Sequence, residues 1–120
     1  MACLRGEPTK TGGVHTVYVH WLMSEIRFEW DARKATANLA KHGVSFEEAS
    51  TAFYDELGLL IDDPDATVEE DRFILLGLSS RMRLLVVVHC FREPDETIRI
   101  ISARQAVQHE TDLYQDQLRS

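Results

Sequence analysis

Arginine replaces lysine completely in the second half of this chain, and its side chain is suited to binding phosphate. No Lys follows Asp71, whereas seven arginines do: Arg72, Arg81, Arg83, Arg92, Arg99, Arg104 and Arg119. The planar guanidinium group makes paired hydrogen bonds to phosphate or carboxylate oxygens and stays protonated. Two interpretations follow. The arginines form a phosphate-binding surface, or they form ion pairs with acidic residues on a solvated strand face.

The sequence around Arg104 favours the first interpretation. Ser102-Ala103-Arg104-Gln105 matches a capping box, which predicts that the last helix begins just after Ser102. Arg104 is then expected in the first turn, where the helix dipole disfavours a cation by about 0.3–1 kcal/mol. A strand that leads into a helix N-terminus also presents free backbone N–H groups to an anion. Together with Arg99 from the preceding strand, Arg104 is therefore predicted to form a phosphate pocket.

Two further side chains are candidates for supporting chemistry. His89 lies in an apolar run and is the candidate for proton transfer, since histidine titrates near neutral pH. A buried histidine with a structural role is the alternative. Glu110 interrupts the apolar stripe of the last helix, so its carboxylate needs a partner, for which an arginine of the sheet is the natural candidate. We interpret Glu110 as structural support rather than as a base.

Several well-known chemistries have no signature in this sequence. It contains no phosphate-binding glycine loop, no dinucleotide fingerprint, no Cys/His zinc spacing and no nucleophile elbow. We therefore predict no metal and no cofactor. Any catalysis is expected to use arginine, histidine and a tyrosine or glutamate.

The net charge of -7 argues against a nucleic-acid binder only until it is divided along the chain. Ten acidic residues and no Lys or Arg lie between Glu47 and Asp71. Because this acidic window contributes -10, the rest of the chain carries +3. The pattern predicts an acidic flank and a separate sheet that carries the arginines.

The periodicity of the chain predicts an α+β domain that positions these residues. A strand over 26–30 alternates apolar and polar residues, and two short helices follow over 32–42 and 46–54. Four strands are predicted over 57–61, 72–78, 83–91 and 97–101, and a last helix follows them. Short links favour antiparallel neighbours. We therefore expect an antiparallel meander sheet with two N-terminal helices and one C-terminal helix.

The first 22 residues differ from the remainder of the chain. They contain Pro8 and several glycines without sustained periodicity, although Val14, Val17 and Val19 allow a short strand. We expect residues 1–22 to be an extension, with Met23 the natural start, and residues 23–120 to be one domain. A loosely ordered arm is the alternative. No stretch reaches the roughly 20 apolar residues of a membrane span, and a cytoplasmic location is expected.

Several segments together resemble the BrnT family, the ribonuclease half of a type II toxin–antitoxin module within the RelE-like fold group. The similarity runs from about residue 26 to residue 114. Its most specific segments are FEWD at 28–31, KHGVSFEEA at 41–49 and RIISAR at 99–104. The other matching positions are Lys34, Asn38, Arg72, Gly77, Arg92, Glu110 and Tyr114.

The resemblance implies a metal-independent endoribonuclease that cleaves cellular RNA and inhibits translation. It also implies a BrnA-like ribbon-helix-helix antitoxin, through which the pair contacts promoter DNA. RNA cleavage needs a base for the ribose 2′-OH, cations for the charged phosphorane and an acid for the leaving oxygen. We assign charge stabilisation to Arg92, Arg99 and Arg104, and proton transfer to His89.

The remaining candidates are given binding or supporting roles. RNA-backbone contacts are expected from four residues: Arg72, Arg81, Arg83 and Lys41. Ser102, Glu110 and Tyr114 are expected to support the site. One alternative is a non-catalytic module that pairs with a DNA-binding partner in autoregulation. Another is a small domain whose arginines are all structural.

Overall fold

Six strands and three α-helices form most of the chain that the computed structural model describes, namely residues 14–21, 24–66, 71–92 and 96–119. Side chains are described from Ile26 onward. In chain order the elements are β1 (Val14–Trp21), β2 (Ser24–Asp31), α1 (Ala32–His42), α2 (Phe46–Thr51), a 3₁₀ helix (Ala52–Tyr54), β3 (Leu59–Asp62), β4 (Arg72–Leu78), β5 (Leu84–Arg92), β6 (Thr97–Gln105) and α3 (Gln108–Leu118).

All of the described strands belong to one mixed sheet, in the order β1-β2-β6-β5-β4-β3. The strands β3 to β6 form the predicted antiparallel meander. However, β2 lies parallel to β6 over residues 27–29 and 97–99. The expectation of an antiparallel sheet is therefore wrong at this junction. A short turn joins β4 to β5, whereas β2 is separated from β6 in the chain by α1, α2 and the other meander strands. The α+β class is confirmed.

The helices after β2 begin and end through local sequence signals. The Asp31 side chain accepts a hydrogen bond from a backbone N–H in the first turn of α1, and Gly43 ends that helix with a φ of 70°. The Ser45 hydroxyl accepts from the Glu48 N–H at 3.0 Å and so caps α2. The Glu48 carboxylate does not complete a capping box with Ser45, because it binds Ser79 and Arg83 in the turn before β5 instead. The second helix stops at Thr51, and a 3₁₀ turn replaces its predicted end.

One face of the sheet packs against α1 and α2, and we call it the helix-pair face. Its core includes Phe28, Phe46, Val87 and Ile100, each at most 1% exposed. The aromatic rings of Trp30 and Phe46 meet edge to face with centroids 5.9 Å apart. This packing fixes β2 because alternate residues of that strand are buried beneath the helices.

The opposite face packs against α3, and we call it the α3 face. Its smaller core joins Leu76 of β4, Val86 of β5 and Tyr114 of α3. Side chains alternate along a strand, so Cys90 and Arg92 lie on the same face as Val86. Both faces are covered at the middle of β5, which lies between β4 and β6 inside the sheet.

The C-terminal helix begins later than the sequence predicts. Residues 102–105 continue β6 and pair with β5 as far as Gln105 opposite Leu85, and α3 starts at Gln108. The predicted capping box at Ser102 is therefore wrong, because strand pairing over buried residues outweighs a local capping pattern. Arg104 is therefore a strand residue and, contrary to the prediction, does not lie in the first turn of a helix.

Part of the predicted N-terminal extension is a strand of the sheet. β1 pairs with β2 in antiparallel register from Val14 opposite Asp31 to Trp21 opposite Ser24. Residues 1–13 and Met23 lie outside the described residues, so the predicted start at Met23 stays a prediction. Within the part of the chain that is described, no helix combines the length and apolar character needed to cross a membrane.

Candidate functional site

Arginines from separate strands form a row across the α3 face. Arg72 of β4 lies opposite Cys90 of β5, and Cys90 lies opposite Arg99 of β6. Arg99 in turn lies beside Glu29 of β2. Residues directly paired across strands point to the same side of a sheet. The row therefore brings together two of the predicted arginines and a carboxylate that the sequence did not single out.

A second row lies next to the first on the same face. Arg92 of β5 is opposite Thr97 of β6, and Thr97 is beside Arg27 of β2. We call Arg27, Arg72, Arg92 and Arg99, together with Glu29, the arginine cluster. Sequence reasoning missed Arg27 and Glu29. The alternation of residues 26–30 was the available signal, because it places these two residues together on the polar side of the strand.

Glu29 links Arg92 and Arg99 within the cluster. Its Oε2 atom accepts hydrogen bonds from Nη1 of Arg92 at 2.6 Å and from Nη1 of Arg99 at 3.1 Å. The side chains of Arg92 and Arg99 are 50% and 28% exposed, and that of Glu29 is 13% exposed. Two guanidinium groups meet one carboxylate, so the group keeps an excess positive charge. A phosphodiester can approach the exposed sides of both arginines.

Arg72 stands at the other end of the first row. Its Nε atom is 3.3 Å from Oδ2 of Asp63, an acid of the acidic window. This Nε atom is buried and has no hydrogen-bond partner with good geometry among the described residues. Arg72 therefore forms an ion pair with one residue of the acidic window, as the second interpretation of the arginine pattern expects.

Arg104 lies on the α3 face but is paired elsewhere. Arg104 lies opposite Val86 of β5, whereas Arg99 lies opposite Cys90, so the two arginines are about 13 Å apart along the sheet. The two terminal nitrogens of Arg104 donate to the two carboxylate oxygens of Glu110 at 2.9 and 2.7 Å. The hydrogen bond from Arg104 holds the pKa of Glu110 below its ordinary value. Glu110 thus has the sheet arginine that the sequence predicts, and it also accepts the Val107 N–H at the start of α3.

The other two predicted supporting residues hold neighbouring elements. The Tyr114 hydroxyl donates to Oδ2 of Asp55 at 2.5 Å, which ties α3 to the segment before β3. Burial raises the pKa of Tyr114 to about 12. Ser102 of β6 lies opposite Val88 of β5. It lines a shallow cavity beside α1 together with Lys34, Ala37, Asn38, Lys41, His42 and Ile101.

His89 lies on the opposite face of the sheet from the arginine cluster. It is 4% exposed on the helix-pair face, where its ring meets Phe53 edge to face at 4.8 Å. Its Nδ1 atom is 3.1 Å from the Val87 carbonyl oxygen. Burial lowers the pKa of His89, which favours the neutral ring. Because the sheet separates it from the arginine cluster, its position favours the alternative interpretation of a buried structural histidine, and its role in proton transfer stays a prediction.

Arg83 and Arg81 lie away from the arginine cluster as well. They precede β5, roughly 30 Å along the strand from Arg92. Arg83 donates to both oxygens of Glu48, whose side chain is 4% exposed, and Ser79 adds a hydrogen bond at 2.7 Å. Arg81 is mostly exposed, 3.8 Å from the same carboxylate. The guanidinium group of Arg83 is thus engaged in a structural ion pair, and its contact with RNA stays a prediction.

The site contains cationic groups without an evident metal centre. Among the described residues, no group of three or more His, Cys, Asp or Glu side chains is arranged to hold a metal ion. The chemistry available from the arginine cluster is the binding of an anion with several oxygens and the stabilisation of added negative charge on it.

Comparison with known proteins gives the family of the chain. Residues 30–110 match the family described as ribonuclease toxin, BrnT, of type II toxin–antitoxin system. A similar solved structure is the Brucella abortus ribonuclease toxin, BrnT, determined at 1.1 Å resolution. It shares 25% identity over 66% of this chain and 94% of that chain, with a TM-score of 0.48. No match was found among curated proteins. The family match spans most of the chain, which therefore belongs to the BrnT family of ribonuclease toxins.

Proposed function

We propose that this chain is an endoribonuclease that cleaves cellular RNA at the arginine cluster and thereby inhibits translation. The observation that carries the proposal is the convergence of Arg27, Arg72, Arg92 and Arg99 on one sheet face, from four different strands. Strand pairing holds the backbones of these residues, so the cationic groups are preorganised. Such a surface binds a phosphodiester backbone at low cost in conformational entropy.

Arg92 and Arg99 are proposed to stabilise the transition state of cleavage. When the ribose 2′-oxygen attacks the neighbouring phosphorus, negative charge accumulates on the two non-bridging oxygens. Arg92 and Arg99, whose side chains are 50% and 28% exposed, share one carboxylate oxygen and so lie close enough together to contact the same phosphate. Because these groups supply the positive charge, we propose that cleavage needs no metal ion.

Arg72 and Arg27 extend the cluster and are proposed to bind the RNA backbone on either side of the reacting phosphate. Arg104 is assigned a supporting role, since both of its terminal nitrogens are bound to Glu110. Arg81 and Lys41, both exposed, keep their predicted role in backbone contact only as peripheral charges.

We further propose that a BrnA-like ribbon-helix-helix antitoxin neutralises the toxin in the cytoplasm and carries the complex to promoter DNA. The family match supports an antitoxin partner. Glu56, Asp62 and Asp65 are exposed in the acidic window. Their charge suits a basic segment of the antitoxin, which leaves the contact with DNA to the antitoxin rather than to the toxin.

Induction of the chain in cells tests this proposal. We expect growth arrest with fragmented RNA when the chain is induced alone, and neither effect when the neighbouring antitoxin gene is induced with it. Growth arrest with intact RNA would instead favour the alternative function, a non-catalytic module that pairs with a DNA-binding partner. Normal growth with abundant folded toxin and no antitoxin would contradict both.

A further inference from the structure

We propose that Glu29 is the catalytic base that removes the proton from the ribose 2′-OH during cleavage at the arginine cluster. The inference rests on the proposed ribonuclease function and adds a residue to which the sequence assigned no catalytic role. Three features of Glu29 support it: its position on β2, its contacts with two arginines, and the lack of another suitable base beside them among the described residues.

Burial of its two neighbours fixes Glu29 in place. Phe28 is fully buried and Trp30 is 3% exposed, both within the core of the helix-pair face. Side chains alternate along β2, so burial of these two residues directs Glu29 to the opposite side of the sheet. Parallel pairing with β6 places it beside Arg99. A base held in this way needs little reorganisation before it reacts.

The two carboxylate oxygens of Glu29 have different surroundings. Oε2 accepts hydrogen bonds from both Arg92 and Arg99. Among the described residues, none donates a hydrogen bond to Oε1. A phosphate bound by the two arginines therefore lies beside a carboxylate oxygen that can accept a proton. The 2′-OH is attached to the same nucleotide as the reacting phosphate, so it is brought close to Oε1.

The other candidate bases are occupied or misplaced. Both oxygens of Glu110 are bound by Arg104, and one of them also accepts the Val107 N–H. Asp63 is buried beside Arg72, and it accepts a backbone hydrogen bond from Asp65. His89 is buried on the other face of the sheet. Glu29 is thus the carboxylate of the cluster with an oxygen available to substrate.

The chemical step is a transesterification. Oε1 of Glu29 takes the proton of the 2′-OH as the 2′-oxygen forms a bond to phosphorus. Arg92 and Arg99 stabilise the charge that develops on the non-bridging oxygens. The bond between phosphorus and the 5′-oxygen then breaks, and the 5′-oxygen takes a proton from solvent water. The products are a 2′,3′-cyclic phosphate and a 5′-hydroxyl, and Glu29 later returns its proton to solvent.

A comparison of Glu29→Gln with Glu47→Gln tests the assignment. Both substitutions remove one carboxylate and keep its size, but Glu47 is exposed on α2 and outside the cluster. Cleavage is measured on a labelled RNA, and affinity is measured on the same sequence with 2′-deoxyribose throughout. We expect Glu29→Gln to cleave about 10²–10⁴-fold more slowly, the usual contribution of a general base. Its affinity should be equal or higher, because a negative charge beside two arginines is lost. Glu47→Gln should match the unmodified protein in both measurements.

The outcomes separate this inference from the proposed function. If the unmodified protein cleaves RNA and folded Glu29→Gln cleaves it equally fast, the role of Glu29 is refuted and the ribonuclease proposal stands. If Glu29→Gln loses affinity and cleavage together, Glu29 only positions the arginines. If Glu29→Gln does not fold, Glu29→Asp replaces it. That variant keeps a carboxylate but moves it one methylene further from the substrate. Slow cleavage with normal affinity supports the assignment, whereas unchanged cleavage overturns it. If the unmodified protein does not cleave, the proposed function itself fails.

Discussion

At the scale of single residues, the arginines of the second half differ in how completely a carboxylate occupies them. Arg83 and Arg104 each form a bidentate ion pair with one glutamate. Arg92 and Arg99 instead each donate through one nitrogen to the same oxygen of Glu29. Ion pairing with acidic residues therefore describes Arg83 and Arg104, whereas phosphate binding by Arg92 and Arg99 stays a prediction, and this difference sets what each substitution should do.

Replacing Arg99 should remove toxicity without unfolding the protein. Arg99→Ala deletes one of the two cations proposed to stabilise the transition state, for which we expect cleavage to slow by about 10²–10³-fold. The ion pair with Glu29 is partly exposed, so its loss should change stability only slightly. Growth after induction is the measurement, and Arg119→Ala, at an exposed ion pair on the last turn, is the matched control. Persistent arrest by folded Arg99→Ala would remove Arg99 from the site.

Replacing Arg83 should have the reverse effect. Arg83→Ala leaves the nearly buried Glu48 carboxylate with a serine and a distant arginine, and an uncompensated buried charge destabilises a fold strongly. We expect its midpoint of urea unfolding to fall far more than that of Arg99→Ala. The folded fraction should cleave RNA at the normal rate. Reduced RNA affinity at unchanged stability would restore Arg83 to the binding surface.

The sequence predicted the arginines of the site better than it predicted their surroundings. Arg72, Arg92 and Arg99 are recognisable because of their residue type. Arg27 and Glu29 join them only through the parallel contact of β2 with β6, which links residues about 70 positions apart. No local pattern encodes that contact. A histidine in an apolar run fits a base and a buried ring equally well, so the sequence did not reveal that His89 is buried on the opposite face from the arginine cluster.

At the scale of elements, the junction between α1 and β6 depends on one side chain. The buried Asn38 amide donates to the carbonyls of Val44 and Ala103 and accepts from the Ala103 N–H. These bonds satisfy the part of β6 that extends beyond its pairing with β2. Asn38 therefore replaces a neighbouring strand at this edge and holds α1 against the sheet that carries the arginine cluster.

We predict that Asn38→Ala lowers the free energy of unfolding by about 3 kcal/mol. Three hydrogen bonds are lost, each worth about 1 kcal/mol net, and backbone groups are left buried and unpaired. Urea unfolding followed by circular dichroism measures the loss. Thr36→Ala, in the same helix, is the control, because its exposed hydroxyl bonds only to the Ala32 carbonyl. Equal stability of the two variants would mean that water replaces the amide.

Most elements were predictable from the sequence where the signal was local. Asp31 and Gly43 mark the ends of α1, and β4 occupies its predicted residues. The start of α3 was misplaced because Ser102 and Gln105 imitate a cap, while pairing with β5 keeps them in β6. At the actual start of α3, the Glu110 carboxylate accepts the N–H of Val107. In the sequence, Glu110 stood out as an interruption of the apolar stripe and not as a capping residue.

At the scale of the whole molecule, buried and paired titratable groups should make stability depend on pH in two stages. The pKa of His89 is lowered by burial, so the unfolded chain binds a proton that the folded protein resists, and stability should fall below pH 6.5. The pKa of Glu48 is lowered by its hydrogen bond from Arg83, and that of Glu110 by Arg104. Their stabilisation is present above the ordinary value of 4.5 and is lost as the pH falls through their lower folded values.

His89→Phe separates these stages. The variant should show little change in stability between pH 6.5 and 5 and retain the loss at lower pH, while its folded form cleaves RNA normally. Urea midpoints measured at several pH values provide the data. A variant with the full loss between pH 6.5 and 5 would place that titration elsewhere, and loss of cleavage in a folded variant would return His89 to the reaction.

The net charge of -7 takes its meaning from the distribution of charges over the folded molecule. Part of the acidic window pairs with Arg72, Arg81 and Arg83, and other acids of the window remain exposed. The cluster around Glu29 keeps more positive than negative charge. A negative net charge is therefore compatible with the proposed binding of RNA on one sheet face.

Cleavage of a labelled RNA by the purified protein in the presence of EDTA tests that account most directly. The unmodified protein should produce fragments that end in a 2′,3′-cyclic phosphate. The double variant Arg92→Ala/Arg99→Ala should be slower by at least about 10³-fold with an unchanged far-ultraviolet spectrum. Intact RNA with the folded, unmodified protein, or equal cleavage by the double variant, would contradict the assignment of ribonuclease activity to the arginine cluster.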